Sequence, residues 1–170
     1  MNRDDLVSPA YRAILKAAHE QKPGWGKYGK DSAVIVAKFA SRIGAATILD
    51  FGCGTGTLAR ALPGCDVREY DPGIPGKDGV PVAADLVVAT DVMEHIEPDR
   101  LDATLRFIRQ LARKGAFLII ATSLSRETLP DGRNAHLIVK AVPWWRNRMI
   151  QHGFLIDREE IRKGLYLWCR

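Results

Sequence analysis

The sequence predicts an α/β protein in which helices cover both faces of a doubly wound, mostly parallel sheet. The chain has 170 residues, 46% of them hydrophobic and 26% charged, which is typical of one globular domain and excludes a disordered or fibrous chain. After residue 45, short apolar segments alternate with helical patterns. The predicted strand 85–90 contains an unbroken apolar run, Leu-Val-Val-Ala, as expected of a strand that is buried on both faces.

Two helices are predicted before the sheet begins. The first spans about Pro9 to Gln21 and the second about Asp31 to Ile43. The loop between them, residues 22–30, contains one proline and three glycines, which end the first helix. Trp25 and Tyr28 in this loop are candidates for a lid over a bound ligand; alternatively, they pin the two helices to the core.

Residues 45–170 are predicted to form the ligand-binding core of the same single domain, with residues 1–44 as N-terminal helices and lid. The predicted strands are 47–51, 67–70, 85–90 and 116–121, followed by a hairpin of 154–156 and 165–168. The predicted helices are 57–62, one that begins after Pro98 and ends at Gly115, and 143–152.

In doubly wound sheets, ligands bind beyond the carboxyl ends of the strands, at the point where the strand order reverses. Three loops follow strand ends in the predicted order, residues 52–56, 91–97 and 122–136. We therefore expect these loops to surround the functional site.

The glycine loop is the strongest local signal. Gly52, Gly54 and Gly56 follow a strand and precede a helix, so the backbone can approach a ligand closely there. The G-x-G-x-G spacing differs from the G-x-G-x-x-G of dinucleotide enzymes, which argues against a nicotinamide dehydrogenase. Asp50 would repel a pyrophosphate but attract an ammonium group, and Asp71 closes the second strand, where a carboxylate can accept hydrogen bonds from ribose hydroxyls. S-adenosylmethionine is an amine-bearing ribonucleoside that satisfies both acids.

Three segments resemble the class I S-adenosylmethionine-dependent methyltransferases. Residues 49–56 are similar to their first motif, residues 69–71 to the acidic end of their second strand, and residues 84–96 to the Glu-His-Ile element of their small-molecule branch. The resemblance covers roughly residues 45–160. It implies a Rossmann-like, seven-stranded sheet with a C-terminal antiparallel hairpin, S-adenosylmethionine as the cofactor and S-adenosylhomocysteine as the product.

The cofactor would contact residues of the glycine loop and of the loops that follow the neighbouring strands. The candidates are Asp50, Gly52, Cys53, Gly54, Gly56, Asp71, Pro72 and Asp91. Cys53 is interpreted as a small residue in the loop, since no base is placed to make it a nucleophile. The family's third strand and its adenine-binding acid have no clear counterpart in residues 73–83, which offer only Asp78.

Two histidines are the candidate catalytic residues. His95 and His136 follow the fourth and fifth strands of the family pattern, and either one suits the role of general base for a hydroxyl or phenol acceptor. The alternatives are that His95 orients its loop and that His136 begins a helix. Glu94 could contact the amine or be solvated near a helix start, whereas His19 and His152 are predicted to be surface residues.

The charge distribution leaves a nucleic-acid acceptor open. Lysine and arginine number 25 against 20 acids, but the balance is −3 in residues 1–99 and +8 in residues 100–170. A basic region can face an anionic partner. We favour the alternative that these charges are a solvated helix face, formed by Arg106, Arg109, Arg113 and Lys114.

The sequence therefore predicts methyl transfer to a small-molecule or sugar-like acceptor. The alternatives are a nucleic-acid methyltransferase and a non-catalytic module that binds S-adenosylmethionine. The three cysteines lack metal-type spacing, no metal site is predicted, and neither a signal peptide nor a membrane span is recognised, so we expect a cytoplasmic location and no membrane partner.

Overall fold

The computed structural model describes residues 3–21 and 29–170. Trp25 and Tyr28, the candidate lid residues, lie outside the described residues. Within the described ranges, no helix is long and apolar enough to cross a membrane.

Five α-helices and six strands make up the described chain. The helices are α1 (Pro9–Gln21), α2 (Gly29–Arg42), α3 (Thr57–Ala61), α4 (Leu101–Leu111) and α5 (Val142–Gln151). The strands are β1 (Thr47–Phe51), β2 (Asp66–Tyr70), β3 (Ala84–Thr90), β4 (Ala112–Ile120), β5 (Ile156–Ile161) and β6 (Leu165–Cys169). Short 3₁₀ turns lie at Arg3–Asp5 and Met93–His95.

The strands form one sheet in the order β2-β1-β3-β4-β6-β5. The first four are parallel, and β6 runs antiparallel to both β4 and β5. The expectation of seven strands is wrong for the described chain, because residues 73–83 form no strand beside β2. Pro75 and Pro81 interrupt this segment, and proline has no N–H to donate to a strand ladder.

Both faces of the sheet are buried, which confirms the doubly wound arrangement. Val87 and Leu118 pack against α4 and α5, whereas Val88 and Phe117 pack against α2 and α3 on the opposite face. The alternation follows from the two-residue period of a strand, which sends successive side chains to opposite faces. Because helices cover both faces, Leu86, Val87, Val88 and Ala89 of the central strand β3 are all buried, as its apolar run predicts.

Gly115 does not end a helix, contrary to the prediction. Helix α4 ends at Leu111, and Gly115 lies inside β4. A Cβ atom at this position would lie 2.9 Å from the backbone oxygen of Cys169, so the glycine permits the close approach of β6. Arg113 and Lys114 consequently belong to a strand and not to the predicted helix face.

The other element boundaries shift by smaller amounts, except in the hairpin. Helix α2 begins at Gly29, two residues before the predicted start. The first hairpin strand begins at Ile156, where the predicted strand 154–156 ends, and continues to Ile161. Its polar sequence, Ile-Asp-Arg-Glu-Glu-Ile, suits an edge strand that pairs only with β6.

Helix α1 is fixed to the loops that follow β3 and β4. Ser8 caps the helix by accepting a hydrogen bond from the Tyr11 N–H, and it donates its own hydroxyl to Glu97 at 2.7 Å. The Tyr11 hydroxyl donates to the backbone oxygen of His95 at 2.8 Å. Tyr11 also packs with Leu129 and Ala135 of the loop after β4. These contacts place the N-terminal helix directly over the carboxyl ends of the strands.

Candidate active site

A crevice lies between helix α1 and the carboxyl ends of β1, β2 and β3. It encloses about 780 Å³ of empty space, its open mouth included. Gly52, Gly54, Asp71, Pro72, Asp91, Val92 and His95 line the strand side. Leu6, Val7, Tyr11, Leu15 and His19 line the side formed by the N-terminal segment. A mainly apolar cavity with a few charged groups in its lining is typical of a small-ligand site.

The glycine loop is held against β2 by its own backbone. The N–H groups of Gly52 and Cys53 both donate to the backbone oxygen of Tyr70, at 2.8 and 3.0 Å. Gly52 adopts a left-handed conformation, with φ of 76°, and a Cβ atom there would lie 2.5 Å from the Val92 side chain. The loop after β3 thus packs directly on the glycine loop, and the sequence predicts that these two loops lie side by side.

The Asp71 carboxylate is oriented by two backbone N–H groups. Gly54 donates to Oδ2 and Gly73 donates to Oδ1, each at 2.9 Å. An ionised carboxylate has about four acceptor positions, so this geometry leaves capacity for the hydroxyls of a ribose.

His19 lies beside Asp71, not on the surface as predicted. Its Nε2 atom is 3.9 Å from Asp71 Oδ1, and 16% of its side chain is exposed. Burial lowers the pKa of His19, although the Asp71 charge opposes this effect. His152 is also largely buried, with Nε2 at 3.0 Å from Asp102, so the surface prediction fails for both histidines.

Asp50 is a buried acid behind the glycine loop. Asp50 is only 3% exposed, and its Oδ2 atom has no hydrogen-bond partner among the described residues. Burial, and then the charges of Glu69 and Asp71, raise the pKa of Asp50 to about 7, while Lys77 opposes the rise. Three carboxylates and one ammonium group therefore give this end of the crevice a negative field, which favours a cationic ligand.

Gly56 and Cys53 serve the packing of the loop. Gly56 has φ of 78°, and a Cβ atom there would collide with the ion pair in which Lys77 Nζ lies 3.0 Å from Glu69. Cys53 is buried, and burial raises the pKa of its thiol far above neutrality, so the thiol stays protonated. Asp50, Cys53 and Gly56 do not line the crevice.

A second group of polar side chains lies beyond the carboxyl ends of β3 and β4. His95 Nε2 is 3.9 Å from Asp91 Oδ2, and the rings of His95 and His136 meet edge-on with their centroids 4.9 Å apart. Glu94 is fully buried, not solvated, and its Oε1 atom accepts the N–H of Ala121 at 2.5 Å. The loops after β3 and β4 thus bring together Asp91, Glu94 and the two candidate catalytic histidines.

These groups perturb one another's pKa values. Burial, and the nearby charge of Asp91, raise the pKa of Glu94 to about 8, although His95 opposes the rise. Burial alone would lower the pKa of His95, but the nearby carboxylate of Asp91 and the charge of Glu94 raise it overall. Burial alone would raise the pKa of Asp91, whereas the His95 interaction lowers it. Such perturbed groups beside a crevice are typical of functional sites.

Sequence reasoning missed the N-terminal wall of the crevice. Ser8-Pro9 signals a helix start, but no local pattern shows that Tyr11, Leu15 and His19 face the site. Asp78, the sole acid of residues 73–83, accepts the N–H of Gly76 and lines a separate small cavity.

Comparisons with known proteins identify the family. The family model described as a methyltransferase domain matches residues 15–165. No curated protein sequence matches the chain.

Solved structures show the same fold at low sequence identity. One is a Burkholderia thailandensis 1,6-didemethyltoxoflavin-N1-methyltransferase with S-adenosylhomocysteine, at 17% identity and a TM-score of 0.69, covering 95% of this chain and 88% of that one. Another is the Synechocystis magnesium protoporphyrin IX methyltransferase, at 16% identity and a TM-score of 0.61, with 83% of each chain covered. Human N-acetylserotonin methyltransferase matches at 15% identity and a TM-score of 0.61. The match covers 100% of this chain and 60% of the human enzyme.

The family match spans the glycine loop, Asp71 and the loop with Asp91 and His95, and the sheet order places all three around one crevice. The chain belongs to the methyltransferase domain family and is a class I S-adenosylmethionine-dependent methyltransferase.

Proposed function

We propose that this enzyme transfers the methyl group of S-adenosylmethionine to a small-molecule acceptor that binds in the crevice beneath α1. The observation that carries the proposal is the crevice itself, with Asp71 and the glycine loop at one end and Asp91 and His95 at the other. The N-terminal helix covers the space between them, which suits a compact acceptor better than a polymer strand. The similar structures are named for 1,6-didemethyltoxoflavin, magnesium protoporphyrin IX and N-acetylserotonin, which are all small molecules.

The residues at the glycine-loop end fit the cofactor. S-adenosylmethionine supplies a methyl group that is already activated by a sulfonium charge. Asp71 would accept hydrogen bonds from the ribose hydroxyls, and Gly52 and Gly54 would let the backbone approach the nucleoside. The unpartnered, buried Oδ2 of Asp50 is consistent with a cationic ligand, and the charge of Asp50, from behind the glycine loop, would stabilise the cofactor's ammonium group.

The residues at the other end would act on the acceptor. The transfer is an in-line displacement, so holding the two reactants in line supplies most of the acceleration. His95 and His136 are proposed to act on the acceptor's oxygen or its proton, and not on the cofactor. His95 lines the crevice from the loop after β3, and His136 contacts the His95 ring from the loop after β4, which supports this division of roles.

The proposal is tested with S-adenosylmethionine carrying a labelled methyl group. The purified enzyme is incubated with a cell extract separated into small metabolites, nucleic acids and proteins. We expect label in the small-metabolite fraction and formation of S-adenosylhomocysteine. Label confined to nucleic acid or protein would overturn the acceptor class, and cofactor binding without any label would favour a binding module.

The histidines are tested separately on the acceptor that this screen provides. We expect His95→Ala and His136→Ala to lower turnover by about 10²–10⁴-fold while the dissociation constant for S-adenosylhomocysteine stays close to that of the parent. Unchanged turnover in both variants would show that the histidines are structural. A thermal melt on each variant excludes loss of activity through loosening of the fold.

A further inference from the structure

Four side chains with metal-binding groups converge beside the crevice, and we propose that they form a site for a divalent transition-metal ion. Asp91, Glu94, His95 and His136 each offer one ligand atom, and these atoms all lie within 4.8 Å of one another. We call these four residues the acid–histidine cluster. From the sequence, the two histidines are expected to be bases and no metal is predicted, whereas the structure brings both together with two acids.

The hydrogen bonds of the histidines fix the tautomer that a metal requires. Nδ1 of His95 lies 2.8 Å from the backbone oxygen of Ala135, and Nδ1 of His136 lies 2.6 Å from that of Ser123. A carbonyl oxygen can only accept, so both Nδ1 atoms must carry the proton in these bonds. The lone pair of each neutral ring is then on Nε2. A histidine that binds a metal typically donates its other N–H to a backbone carbonyl or carboxylate in this way.

Glu94 provides a second, independent observation. The residue is fully buried, and its Oε1 atom is fixed by the N–H of Ala121. Its Oε2 atom is also buried and has no hydrogen-bond partner among the described residues. A buried carboxylate oxygen without a partner is costly, whereas a cation within the cluster would satisfy it.

The backbone places Asp91 at the mouth of this cluster. Asp91 is the only non-glycine residue with positive φ among those described, at 62°, and its N–H donates to the backbone oxygen of Ile119 at 2.9 Å. This left-handed conformation is uncommon for a residue with a Cβ atom and is found at functional sites more often than elsewhere. It brings the carboxylate to within 3.9 Å of His95 Nε2, so strand register and backbone conformation together position the ligand.

The ligand set indicates which ions would bind. Bonds of about 2.0–2.2 Å place opposite ligands of one ion roughly 4.2 Å apart, so the observed spread needs only a small inward movement of the side chains. Two imidazoles with two carboxylates favour Mn²⁺, Fe²⁺, Co²⁺ or Zn²⁺ over the oxygen-only coordination that Mg²⁺ and Ca²⁺ prefer. Four protein ligands leave positions for an exogenous oxygen in a five- or six-coordinate ion.

The position of the cluster then specifies the acceptor, an inference that rests on the proposed function. Asp91 and His95 also line the crevice, so a hydroxyl or phenol of the acceptor can reach the ion. A cation lowers the pKa of a bound hydroxyl, and its proton passes to solvent. The oxygen lone pair forms the bond to the methyl carbon while the carbon–sulfur bond breaks and its electron pair stays on sulfur. The products are a methyl ether and S-adenosylhomocysteine.

Metal binding is measured without any acceptor. The full chain is freed of metal with a chelator and titrated with MnCl₂, and free Mn²⁺ is followed by electron paramagnetic resonance. We expect one Mn²⁺ per chain, and at least a tenfold rise in the dissociation constant for Glu94→Gln and for His136→Gln. His152→Gln is the matched control, since it removes an imidazole paired with Asp102 outside the cluster, and it should bind Mn²⁺ like the parent.

The same samples are titrated with S-adenosylhomocysteine by calorimetry. Retained nucleoside binding in the cluster variants shows that they are folded and that only the metal site has changed. If the parent binds S-adenosylhomocysteine but no Mn²⁺, Co²⁺ or Zn²⁺, or if both cluster variants bind Mn²⁺ like the parent, the metal site is overturned and the proposed function stands. If the parent does not bind S-adenosylhomocysteine, the proposed function fails instead, whatever the result with Mn²⁺.

Discussion

Replacing Asp71 with asparagine tests the cofactor end of the crevice most directly. The substitution keeps the size of the side chain, but it removes the charge and turns one acceptor atom into a donor. Because Oδ1 and Oδ2 each accept a backbone N–H, from Gly73 and Gly54, the new NH₂ group faces one of these donors and loses that bond. The same group cannot accept a hydrogen bond from a ribose hydroxyl.

The expected loss of affinity follows from the hydrogen bonds between the Asp71 carboxylate and the ribose hydroxyls. Hydrogen bonds to charged groups contribute about 1.5–3 kcal/mol, which corresponds to roughly a ten- to hundredfold rise in the dissociation constant. Calorimetry with S-adenosylhomocysteine measures this rise without turnover. Asp66→Asn removes the same charge at the exposed start of β2 and should leave the affinity unchanged.

A thermal melt separates binding from folding. The lost backbone bond should lower the melting temperature of Asp71→Asn, so the titration is run well below the melting transition of the variant. If the folded Asp71→Asn variant bound S-adenosylhomocysteine as tightly as the parent does, the assignment of Asp71 to the ribose would be refuted.

The remaining predictions concern the loop, a buried acid and the basic region. Gly52→Ala should lower the melting temperature by about 2–8 °C, because its Cβ atom meets Val92 at positive φ, whereas Gly64→Ala, with open space around it, should not. Burial favours the neutral form of Asp50 and so raises its pKa to about 7. The contribution of Asp50 to the free energy of unfolding is therefore largest below about pH 4 and is lost as the pH rises through about 7. Asp50→Asn should abolish that dependence in pH-dependent melts; an unchanged profile would exclude Asp50 as its source. Generic RNA and DNA should bind only weakly near physiological salt, and tight binding that falls steeply with salt would favour a nucleic-acid acceptor.

The net charge of residues 100–170 does not show which of their basic side chains form ion pairs. Lys114 forms an ion pair with Asp85 at 3.1 Å, and Arg100 forms one with Glu97 at 3.7 Å. Both acids precede residue 100, so the charge count for residues 100–170 records the basic side chains but not these partners. The excess of +8 is therefore distributed over a partly paired surface.

The sequence predicts one side of the crevice far better than the other. The glycine loop and Asp71 are local features of a strand–loop–helix unit, so their spacing is enough to place them near each other. The N-terminal wall depends on long-range contacts, such as Ser8 with Glu97, that no local periodicity encodes. The misinterpretation of Gly115 has a related cause, since only the approach of β6 distinguishes a glycine that admits a neighbouring strand from one that ends a helix.

Two buried acids, Asp50 behind the glycine loop and Glu94 in the acid–histidine cluster, are expected to favour two different cations. Each has one carboxylate oxygen without a hydrogen-bond partner among the described residues, which favours a positive ligand near each acid. We expect Asp50→Asn to weaken S-adenosylmethionine and S-adenosylhomocysteine alike, since both carry the amine, and to leave Mn²⁺ affinity unchanged. Glu94→Gln should give the reverse result. If each substitution weakened both ligands equally and added salt removed the effect, the acids would act through a shared long-range field and not through separate contacts.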